Sequence, residues 1–184
     1  MIQLVLIMYL FIAFFGYVGW LRGWTKEVIS LAGIILAIFA LWEFRTVITG
    51  VIFNDLPPGQ VFYIQSAIFV TIVFFAYQTR ALNARAGRRN NREELQTRVL
   101  GAIVGAANGY LISGTLWFFL DYQGLDGLRA NYPLAPLVVS PAPGSVSADM
   151  VSNLPVYLLT GTGGDGALLS LVVVVLFVLV LVLI

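Results

Sequence analysis

Five long apolar stretches of this chain carry no charge, and they restrict the fold more than any motif does. Residues 1–21, 56–79, 99–120 and 166–184 contain no Asp, Glu, Lys or Arg, and 28–42 are free of them before Glu43. A helix rising about 1.5 Å per residue needs about 20 residues to cross roughly 30 Å of hydrocarbon, so four of the runs fit directly. The second, from Lys26 to about Val47, fits with Lys26 and Glu43 at the two interfaces, their stems snorkelling outward. No run shows the sustained alternation of a barrel strand. The expected fold is an all-α integral membrane protein with five transmembrane helices. Composition agrees, since 60% of residues are hydrophobic and 10% charged, against about 45–50% and about 25% in soluble domains.

The first run lacks a basic leading segment and an A-x-A site, and its apolar stretch is too long for a signal sequence, so a retained helix is expected. The last run, LVVVVLFVLVLVLI, is rich in valine, which favours strands in water. In lipid each backbone N–H and C=O must be satisfied within the segment, so a helix is expected there too.

Basic residues set the orientation. With five spans and an outside N-terminus, Arg22, Lys26, Arg80, Arg85, Arg88, Arg89, Arg92 and Arg98 fall on the cytoplasmic side. Only Arg45 and Arg129 fall outside. Eight basic and three acidic residues then face inward, against two basic and six acidic outward. Such a bias over short loops predicts N-outside, C-inside. Three regions follow: a four-helix membrane core over 1–120 with a cytoplasmic Arg-rich loop at 80–98, an extracytoplasmic Gly/Pro-rich loop at 121–165, and a fifth transmembrane helix at 166–184.

The inventory for chemistry is thin. There is no Cys and no His, and only nine carboxylates. Disulfides and thiolate chemistry are excluded, and the commonest metal ligand and general base is missing. No triad, zinc-ligand cluster or pair of membrane carboxylates appears, so no enzyme activity, metal or cofactor is expected. GTGGDG at 161–166 lacks the lysine and hydroxyl of a phosphate-binding loop and reads as a hinge.

One tight group of charges interrupts the N-terminal half, in LRGWTKE at 21–27. It reads as the cytoplasmic turn between the first two helices. Gly23 suits a positive φ, Trp24 and Trp20 suit the headgroup layer, and Thr25 is placed to cap the second helix, with Glu27 in its first turn. Arg22 and Lys26 hold the turn inside. As alternatives, the same residues could bind an anionic lipid headgroup or form an ion or catalytic site.

GYVGWLRGWTKEVISLAG at 16–33 and RVLGAIVGAANG at 98–109 together resemble the colicin V production protein family, over roughly residues 8–120. By position, Gly16, Gly19, Arg22, Gly23 and Glu27 correspond to the first motif, and Gly101, Gly105 and Gly109 to the second. The resemblance implies a small multi-pass protein of the bacterial inner membrane, linked to colicin V production or export and to envelope upkeep. The valine-rich fifth helix and the long outer loop depart from the family's four-span pattern.

Gly101, Gly105, Gly109 and Ser113 recur every four residues on the fourth span. Small residues at that spacing let another backbone come close, and dispersion then drives association in lipid. Gly16 and Gly19 of the first span offer one mate. Ser30, Gly33 and Ala37 of the second offer another. In the loop RALNARAGRRNNREELQTR, Arg80, Arg85, Arg88, Arg89 and Arg92 suit either anionic lipid or a protein partner engaged through arginine forks. The loop has no aromatics, and with a net charge of +1 overall nucleic acid is not an expected partner. In the outer loop, SADMVSNLPVYLLTG predicts one short interfacial helix capped by Ser147 and ended by Pro155. The expected function is a non-catalytic scaffold or accessory subunit, in a larger membrane complex or a homo-oligomer. The alternative is a component of a small-solute or ion transporter.

Overall fold

The computed structural model describes residues 3–48, 50, 56–78, 91–121, 132, 134, 137–161 and 165–183. All regular structure among them is helical. The long helices are α1 (Leu4–Arg22), α2 (Trp24–Glu43), α4 (Pro58–Tyr77) and α5 (Asn91–Asp121), with a single turn, α3 (Arg45–Val47), after α2. Two short helices follow, α6 (Val146–Val151) and α7 (Pro155–Thr160), and then α8 (Ala167–Leu183).

Four helices, α1, α2, α4 and α5, are long and apolar enough to cross a membrane. The run expected as a fifth span forms α8, a shorter apolar helix that is not among those four; its 17 residues reach about 26 Å at 1.5 Å each. The 31 residues of α5 would reach about 46 Å, more than the roughly 30 Å of hydrocarbon. The excess of about 16 Å amounts to about three turns, and in the first turns of α5 Arg98 donates to Glu94 at 2.6 Å in an exposed pair. Arg80, Arg85, Arg88 and Arg89 lie outside the described residues, while Arg92 is exposed at the start of α5.

The Gly23 turn has the expected backbone, with φ 81. Its N–H donates to the Gly19 carbonyl at 2.9 Å, ending α1 as α2 begins. Gly23 is itself the N-cap of α2, and no side chain caps that end. Thr25 is not the cap, because the helix starts one residue before it.

Helix α1 runs antiparallel to α5 in the most extensive contact of the bundle. A Cβ added at Gly19 would overlap the Gly101 carbonyl, and one at Gly105 would overlap the Phe15 carbonyl. At Gly109 it would lie 2.5 Å from the Phe11 oxygen. The backbones are thus in contact along three turns. Ser113 donates to the Gly109 carbonyl at 2.7 Å within α5. Helix α2 packs on α5, α4 and α8, and its Gly33 faces Ala76 of α4. Of the two mates considered for the glycine stripe, α1 occupies it, and Gly33 serves the neighbouring seam.

The Pro-bearing loop folds as two helices rather than one. Ser145, not Ser147, caps α6 and accepts from the Ala148 N–H at 3.2 Å. Ser147 is buried and instead accepts from the Val5 N–H at 3.5 Å, in the first turn of α1. Pro155 opens α7 rather than ending α6, as suits a residue with fixed φ and no N–H to leave unpaired. Its ring seats against Gly114 of α5, where an added Cβ would have no room.

Candidate functional site

The two charged residues that seemed to mark a headgroup turn point into the protein. Glu27 is fully buried, with 0% exposure, and Arg22 turns its guanidinium inward beside it. The first turn of α2 is covered by α4 and α5, which contribute Tyr77 and Asn108 to the surroundings of Glu27. Trp24 and Lys26 remain half-exposed on the other side of that turn.

Each oxygen of the Glu27 carboxylate is occupied. Arg22 Nη1 donates to Oε1 at 2.5 Å. Tyr77 Oη donates to Oε2 at 3.2 Å, and Asn108 Nδ2 donates to the same atom at 2.8 Å. The three donors come from α1, α4 and α5, so one carboxylate on α2 links all four spanning helices. Arg22 also donates from Nη2 to the Tyr77 carbonyl at 3.0 Å and from Nη1 to Ser30 Oγ at 3.2 Å. The Ser30 hydroxyl in turn donates to the Ala76 carbonyl at 3.3 Å. Two orphan carbonyls at the end of α4 are thereby satisfied. The Arg22 guanidinium stacks over the Tyr77 ring at 4.6 Å.

The group is neutral as a whole, so neither charge is buried without its counter-charge. One atom stands apart: Asn108 is fully buried, yet its Oδ1 has no hydrogen-bond partner. Both acceptors near the amide are taken by Nδ2, which donates to the Glu27 carbonyl at 3.2 Å as well.

A second polar group sits at the opposite end of α5. Asp121 is buried and accepts from Tyr157 Oη at 2.9 Å and from Tyr132 Oη at 3.4 Å. Trp117 Nε1 donates to Tyr132 Oη at 3.0 Å. The Tyr157 ring meets Phe118 edge to face at 4.8 Å, and Tyr110 Oη donates to the Asn153 carbonyl. These contacts hold α7 and Tyr132 onto the bundle. Sequence reasoning missed this site, since Tyr132 and Tyr157 stand 11 and 36 residues beyond Asp121 with no shared motif.

Among the described residues, no cluster of acidic side chains could hold a metal ion. Arg22, Gly23 and Glu27 come together at the polar group with Tyr77 and Asn108. Gly16, Gly19, Gly101, Gly105 and Gly109 come together at the α1–α5 seam, and Gly33 lies apart from both.

The fold and this interior define a multi-pass helical membrane protein built around a neutral, buried ion pair. Residues 4–138 match the family described as Colicin V production protein, and the chain belongs to that family. No curated protein and no solved structure matches it.

Proposed function

We propose that the protein works by contact, as a non-catalytic scaffold or accessory subunit of the bacterial inner membrane, in secretion or envelope maintenance. The observation behind this reading is the saturated Glu27 carboxylate, held by donors from three other helices. A carboxylate that relays protons or ions must exchange partners, whereas this one braces the bundle. In this reading the N-terminus is outside, anionic lipid and other integral membrane proteins are the partners, and the loop carrying Arg85, Arg88 and Arg89 is a docking surface.

Mass spectrometry of what copurifies in mild detergent tests it. The expected result is one or more stoichiometric membrane partners, lost when Arg85, Arg88 and Arg89 are replaced together. A partner-free, monodisperse protein that conducts ions or releases solute from liposomes would overturn it. The second reading, a transporter component, draws on Asn108 Oδ1, an unpartnered acceptor beside a buried carboxylate.

A further inference from the structure

Helical hydroxyls in this protein follow a habit. Thr97, Ser113, Thr160 and Ser170 each donate to the carbonyl four residues back, at 2.7–3.0 Å. Thr115, 1% exposed in the C-terminal half of α5, does not, and its Oγ1, like Ser66 Oγ on α4, has no partner. The Leu111 carbonyl offers it the same bond. A buried hydroxyl left unpaired is costly, so its state calls for an occupant nearby.

The space for one is present. Thr115 lines a partly open cavity of about 40 Å³ between α2, α4, α5 and α7, with Gln65 and Arg45 as the other polar lining and Trp42, Phe118 and Phe119 among its walls. A water needs about 10–15 Å³ and two to four polar partners, whereas a benzene-sized guest needs about 150 Å³. The cavity is therefore too small for an aromatic or acyl guest, and Thr115, Gln65 and Arg45 along its mostly apolar wall supply the polar partners that water needs.

We infer that this cleft is a hydration site: a short chain of water enters from the end of the bundle that carries α7 and terminates on the Thr115 hydroxyl. Thr115 lies six residues from the end of α5, about 9 Å along the helix axis. The water thus reaches well into the spanning part of the bundle. Asn108, with its own unpartnered Oδ1, is on the same face of α5 two turns further in, about 10 Å away. Buried Leu111 and Ile112 lie between them. They form a dry floor, so the cleft is one-sided and does not join the Glu27 group.

The chain has no cysteine, so single thiols can be read without background. Variants purified into nanodiscs are exposed to silver ion, which is close to water in size and cannot dissolve in lipid. Free silver is removed, the protein is denatured, and remaining thiols are tagged with a maleimide. Silver should abolish tagging of Thr115→Cys, as it does for Ser152→Cys on the exposed side of the loop. It should leave Ile103→Cys, facing lipid, and Leu111→Cys, in the floor, fully taggable. Gln65→Cys carries the test if Thr115→Cys does not fold. A cleft thiol that stays as taggable as Ile103→Cys overturns the hydration site, and protection of Leu111→Cys overturns the dry floor.

Discussion

At the scale of single residues, Glu27 carries the largest consequence. Removing one member of a buried pair leaves the other charge uncompensated, at about 3–5 kcal/mol. Arg22→Ala, which strands the fully buried Glu27, should therefore lower the unfolding free energy in detergent by that amount, with Glu27→Ala somewhat less because the Arg22 left behind keeps partial access to solvent. The exposed Arg98–Glu94 pair provides the contrast, since Arg98→Ala should change stability by about 0.5 kcal/mol or less. Equal losses at the two pairs would show that Glu27 is not a structural node. The sequence marks Glu27 as the single acid in a basic turn, which is also how a headgroup anchor reads. What makes it interior is Tyr77 and Asn108, 50 and 81 residues away, and no local pattern links them. Asp121 was hidden for the same reason.

Among the elements, the α1–α5 seam separates glycines that look alike in sequence. A Cβ at Gly16 would make ordinary contacts of 3.5 and 3.6 Å with α5, whereas at Gly19, Gly101 and Gly105 it would run into backbone. Gly16→Ala should be neutral, or stabilise by up to about 0.5–1 kcal/mol through helix propensity. Gly19→Ala and Gly105→Ala should each lower the melting temperature and the yield of folded protein. Matching effects at all three positions would contradict the seam. The four-residue spacing made the stripe legible, but spacing cannot say which helix fills it, and two mates were open. Pro155 was misread because a proline both stops and starts helices, and its seat on Gly114 is a tertiary fact. At α7, Tyr157→Phe removes a donor to Asp121, and a hydrogen bond to a charged group contributes about 1.5–3 kcal/mol. Limited proteolysis should then cut the α6–α7 loop faster than in the unaltered protein, and an unchanged rate would mean that the loop is held elsewhere.

For the whole molecule, four of the five expected spans were legible because lipid imposes length and excludes charge, two properties visible residue by residue. Orientation belongs to the proposed account: reporter fusions after Arg92 and Ile184 should read cytoplasmic and one after Pro143 external. An external signal at Arg92 would reverse it. The central claim is that the interior ion pair braces a scaffold rather than moving charge, and the double variant Arg22→Met/Glu27→Gln tests it most directly. It removes both charges together and keeps an acceptor for Tyr77 and Asn108. The measurement is the amount of partner copurifying with folded protein in mild detergent, relative to the unaltered chain. The account predicts near-normal folded yield with partner stoichiometry retained. A double variant that folds normally but loses its partners, or a charge flux that the unaltered protein supports, would contradict it.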